Sequence, residues 1–101
     1  MTKNIVLIGV GGQGTILTSK ILSAGLVELG FDVKMSEIHG MSQRGGSVVT
    51  QIRYGEKVYS PTIDEGEADI VVAFEKAEAL RALPFLKKGG TLVVDADREI
   101  Y

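Results

Sequence analysis

The chain has 101 residues, 45% of them hydrophobic and 24% charged, which is enough apolar material for the core of one compact domain. Its net charge of -2 offers no basic face to neutralise phosphates, so nucleic acid is excluded as an expected partner. Cysteine is absent, which excludes disulfides and thiolate-held iron–sulfur clusters and places any redox centre on another chain.

In chain order, Asn4 to Ile8 is a continuous β-branched and leucine run ending at Gly9, as suits a parallel strand buried on both faces. The run is far too short to span a bilayer and the glycines after it do not resemble a signal-peptide cleavage region, so no membrane association and a cytoplasmic location are expected. From Thr15 to about Leu29 the spacing predicts a helix closed by Gly30. Its apolar residues Ile16, Leu17, Ile21, Leu22, Ala24, Leu26, Val27 and Leu29 leave a narrow polar stripe of Thr15, Ser19, Lys20 and Ser23, the pattern of a largely buried helix.

Phe31 to Ser36 reads as a second strand, and Glu37 to Gly46 as a loop with three glycines and no apolar period. Val48 to Tyr54 alternates as a strand, and Gly55, Glu56 and Lys57 offer a turn into Val58, Tyr59 and Ser60, which predicts a hairpin before Pro61. Ala68 to Phe74 is another apolar strand. A helix follows from about Glu75 to Leu83, closed by Pro84, then a turn at Lys87 to Gly90 and a last strand at Thr91 to Val94.

This order is that of an α/β protein with an open, doubly wound, mostly parallel sheet of Rossmann-like type carrying an inserted β-hairpin. Residues 1–101 are expected to form a single α/β domain. Such a sheet would normally continue beyond Val94 with another helix and strand, so the domain reads as truncated at its C-terminus, the N-terminal part of a longer unit.

Gly9, Gly11 and Gly14 satisfy G-x-G-x-x-G directly after a strand and before a helix, where the backbone can approach a phosphate closely. Exposed amides around Gly12, Gln13, Gly14 and Thr15 at the helix start favour an anion. The same glycines equally serve a sharp turn and tight packing with no ligand bound, and the motif alone does not decide. Glu37 lies near the distance at which an acidic residue binds a ribose in the dinucleotide version of this fold, whereas Asp32 comes too early.

The segment His39 to Gly46 has no counterpart need in an ordinary dehydrogenase. Arg44 beside Gly45 and Gly46 offers a planar fork for a phosphate or carboxylate with room for close approach, against the plainer reading of a solvated loop. His39 is the only histidine and lacks the partners of a metal site or nucleophilic triad, which favours a structural or interface role. Ser42 and Ser47 have no nucleophile-elbow setting. Asp69, Asp95, Asp97 and Glu99 share no metal-like spacing and read as solvated ends of elements, as Lys87 and Lys88 read as a solvated turn. No catalytic residue and no metal ligand is expected here.

Taken together, Gly9-Val10-Gly11-Gly12-Gln13-Gly14, the segment Met35 to Ser47 and Val58-Tyr59-Ser60-Pro61 resemble the gamma-type subunits of the 2-oxoacid:ferredoxin oxidoreductases. Arg44-Gly45-Gly46 resembles the Arg-Gly-Gly of that family. The surrounding Glu37 to Gln43 resembles, within it, the beta subunit of indolepyruvate oxidoreductase in particular. The resemblance extends through Glu67-Ala68-Asp69 and Lys88-Gly89-Gly90-Thr91, and members of the family continue well beyond Tyr101.

The resemblance implies a non-thiamine subunit in a cytoplasmic hetero-oligomer that oxidises an arylpyruvate such as indolepyruvate, forms the acyl-coenzyme A thioester and reduces ferredoxin. It also implies that thiamine diphosphate, Mg and iron–sulfur clusters sit on the catalytic partner subunit, with coenzyme A at the interface and the glycine turn and Arg44 loop facing the partner. Two rival readings are an NAD(P)-binding dehydrogenase fragment, supported by the turn and Glu37, and a structural assembly domain whose glycines serve packing.

Overall fold

Strand β1, Lys3–Val10, occupies the middle of a five-stranded sheet because its run Ile5-Val6-Leu7-Ile8 is apolar on both sides. Ile5 and Leu7 pack with Ile52 and with Leu22 and Leu26 of helix α1, Gln13–Glu28. Val6 and Ile8 pack with Ala79 and Ala82 of helix α2, Lys76–Ala82. One helix therefore covers each face, and the alternation along a single buried strand supplies both halves of the core. The computed structural model describes residues 2–10, 13–39, 47–60 and 62–94.

The remaining strands are β2, Asp32–His39, β3, Ser47–Gly55, β4, Ala68–Ala73, and β5, Leu86–Val94, in the sheet order β2-β3-β1-β4-β5. The β1–α1–β2 crossover leaves one position empty, and β3 fills it, antiparallel to both neighbours. On the other side β1, β4 and β5 are parallel. The open α/β sheet expected from the sequence is present, and its pairings divide evenly between parallel and antiparallel.

Four local expectations are corrected. The inserted hairpin is β2 with β3, not residues 48–54 with Val58 to Ser60, which form no strand. Residues 56–60 and 62–67 instead cross the sheet as a strap held by side chains. Asp32 Oδ2 accepts the Val58 N–H (2.8 Å), and Gln51 Oε1 accepts the Ile63 N–H (3.1 Å) while its Nε2 donates to the Ile63 carbonyl (3.3 Å). Arg53 donates to the carbonyls of Ser60 (3.0 Å) and Thr62 (3.1 Å) and to Asn4 Oδ1 (2.9 Å). With those groups satisfied and Val58 and Ile63 buried, the strap has no need of a ladder.

Helix α1 is not largely buried. Its small polar residues Thr15 and Ser19 face the sheet, Ser19 satisfying its hydroxyl on the Ile16 carbonyl (2.8 Å), and its large residues Leu17, Ile21 and Val27 face out. Small side chains let the helix approach the sheet closely. The helix closes as expected at Gly30, whose φ of 95° allows Phe31 N–H to reach the Leu26 carbonyl and Gly30 N–H the Val27 carbonyl.

Finally, Lys87 to Gly90 is a bulge inside β5 and not a turn before it. Leu86 pairs with Ala68 and Thr91 with Ile70, and the extra residues loop out between them. Gly89 takes a φ of 84°, and a Cβ on Gly90 would lie 3.0 Å from the Asp69 carbonyl and 3.1 Å from that of Ala68. Strand β2 also runs further than expected, to His39, so that Glu37 lies in a strand.

Candidate functional site

Parallel strands β1 and β4 are neighbours whose chains leave towards opposite faces, into α1 and α2 respectively. In open α/β sheets the crevice at the carboxyl ends of such a pair is where ligands bind. Gly9 and Val10 end β1 there, and Phe74 and Glu75 follow β4 there. The two ends are tied by the Phe74 N–H donating to the Ile8 carbonyl (3.0 Å).

Gly9 is set by packing. A Cβ at this position would stand 3.3 Å from Thr15 Cγ2 and 3.4 Å from Phe74 Cβ and Cδ2. The turn therefore brings β1, α1 and β4 together closely enough that even a methyl group crowds it. Helix α1 then starts at Gln13, with Gly14 in a first turn that carries no acidic residue. Its first N–H groups lack intrahelical partners, and no carboxylate of that turn opposes an anion beside them.

The antiparallel ladder brings the second motif to the same place. His39 pairs with Val48, which pairs with Gly9, and Val10 pairs with Ser47. The residues on either side of positions 40–46 thus stand abreast of the end of β1, Ser47 one strand away and His39 two strands, or roughly 10 Å, away. Segments thirty residues apart in sequence, read separately, converge on one edge of the sheet.

Of the sequence-derived candidates, Gly9, Gln13 and Gly14 lie at this edge. Gly11, Gly12, Arg44, Gly45 and Gly46 lie outside the described residues, as do Asp95, Asp97 and Glu99. Glu37 is exposed near the end of β2, in register with Thr50 and, through it, with Leu7. In a dinucleotide fold the ribose-binding acid stands on the strand next to the glycine turn. Here β3 occupies that position and removes Glu37 from it, so the dinucleotide reading loses its second support.

The sequence reading passed over Phe74, Glu75 and Glu78. Their signal was positional, since they follow β4 as the glycine turn follows β1. Glu75 and Glu78 are both buried. Glu78 Oε2 lies 3.8 Å from Arg81 Nη1, and Glu78 Oε1, like the Thr50 hydroxyl, is a buried oxygen with no hydrogen-bond partner among the described residues.

The perturbed carboxylates lie elsewhere. Burial pushes the Asp69 carboxyl up, but hydrogen bonds from Lys87 and the Asn4 N–H (2.8 Å), with the charges of Lys87 and Lys3, hold it below its ordinary value. The Val58 N–H, with Lys34 beside it (3.2 Å), holds Asp32 low in the same sense. Asp69 sits at the opposite end of the sheet from the glycine turn, and both groups brace the fold. Among the described residues no three potential ligands are grouped to hold a metal ion, and no helix is long and apolar enough to cross a membrane.

The family model for pyruvate ferredoxin/flavodoxin oxidoreductase matches residues 4–100. The chain belongs to this family. It is 49% identical over 100 residues to the indolepyruvate oxidoreductase subunit IorB of Archaeoglobus fulgidus, covering 99% of this chain and 49% of that one. Against IorB of Methanothermobacter thermautotrophicus the identity is 50% over 95 residues, or 94% of this chain and 48% of the relative. The chain spans about half the length of the curated relatives it matches.

Among solved structures, the gamma subunit of a keto/oxoacid ferredoxin oxidoreductase from Geobacter sulfurreducens superposes with a TM-score of 0.74 at 27% identity, covering 94% of this chain and 52% of that one. The 2-oxoglutarate:ferredoxin oxidoreductase from Magnetococcus marinus shares the fold, with a TM-score of 0.80 at 22% identity over 99% of this chain, which corresponds to 17% of that much longer chain.

Proposed function

We propose that this chain belongs to the non-thiamine subunit of a 2-oxoacid:ferredoxin oxidoreductase, of the indolepyruvate type. The observation that carries this reading is the identity of 49–50% over nearly the whole chain to subunits named for that activity. The 2-oxoglutarate synthase subunit KorC of Methanothermobacter marburgensis is more distant, at 34% identity over 103 residues, which favours an arylpyruvate over 2-oxoglutarate.

In the proposed reaction a 2-oxo acid loses carbon dioxide, its acyl carbon is joined to the coenzyme A sulfur, and the two electrons released reduce ferredoxin. Thiamine diphosphate, when bound with Mg on the catalytic partner, supplies the decarboxylation. A chain without cysteine leaves the iron–sulfur clusters to that partner as well.

The role proposed for this chain is to close one side of the partner's site with the edge formed by the glycine turn and the 40–46 segment. The acid-free first turn of α1 is a setting for an anionic group, and the coenzyme A phosphates are the anions the reaction requires. Arg44 is proposed to meet the same group. The alternative role, pure assembly, draws on the packing of Gly9 against Thr15 and Phe74.

Co-expression with the thiamine- and cluster-bearing subunit tests the reading, with coenzyme A-dependent reduction of a ferredoxin-like dye as the readout. Activity that needs both chains is expected. Arg44→Ala is expected to raise the KM for coenzyme A, and an unchanged KM and kcat would leave assembly as the role.

A further inference from the structure

We draw no further inference here: the strongest candidate, the buried Glu78 carboxylate in the first turn of α2 with one oxygen unpartnered among the described residues, is closed off from solvent within the fold, and nothing in the structure shows a ligand or side chain that reaches it.

Discussion

Arg53→Ala removes the side chain that fastens the strap to the sheet, and its consequence can be worked out bond by bond. The Nε bond to Asn4 Oδ1 and the Nη1 bond to the Ser60 carbonyl are partly buried, while the bond to the Thr62 carbonyl is exposed. A charged donor to a neutral acceptor contributes about 1.5–3 kcal/mol where water is excluded and much less where water can replace it. Taking about 1 kcal/mol for each partly buried bond and a few tenths for the exposed one gives a loss of about 2–3 kcal/mol. For a domain of this size that corresponds to a fall in Tm of about 10–20 °C. Arg53→Lys keeps the charge but cannot reach Asn4 and the strap carbonyls from one planar group, so about half of the loss is expected. Urea denaturation with an unchanged m-value measures both. A loss below about 0.5 kcal/mol for Arg53→Ala, or a lysine variant indistinguishable from wild type, would refute the view that this side chain holds the strap.

Gly90→Ala places its Cβ 2.8 Å from Leu86 Cδ1, which can rotate away, and 3.0 and 3.1 Å from two carbonyls of β4, which cannot. A loss of about 1–3 kcal/mol in the same denaturation assay is expected. For Asp69 the folded carboxyl ionises below its ordinary value of 3.8, so the unfolded chain takes up the proton first as pH falls. Its stabilisation is complete above about pH 5 and is lost on acidification through 3.8 and below, and urea midpoints between pH 7 and pH 3 should show a shallower fall for Asp69→Asn than for wild type. Asp32 remains to contribute in the same direction.

The elements that announce themselves by local pattern were legible in the sequence. The Asn4 to Ile8 run gave β1, Gly30 gave the end of α1, and the Ala68 to Phe74 run gave β4. What pairs with what was not legible, because β3 joins β1 and β2 through contacts that no local period encodes. Val58 to Ser60 looked like a strand because its residues suit one, but Arg53 and Asp32, distant in sequence, satisfy its backbone with side chains. The apolar content of α1 reads as a largely buried helix, whereas Thr15 and Ser19 of its polar stripe face the sheet and Leu17, Ile21 and Val27 stay outside. The glycine turn and the loop flanking Arg44 were each visible. Their convergence was not, since it depends on the register of His39, Val48 and Gly9.

The most direct measurement of the central claim is the steady-state rate of coenzyme A-dependent dye reduction by the co-expressed complex, with indolepyruvate and 2-oxoglutarate compared at equal concentration. The subunit account expects turnover only when both chains are present, with indolepyruvate preferred by at least tenfold. A stable complex that reduces the dye with neither acid, or a catalytic subunit equally active without this chain, would contradict it.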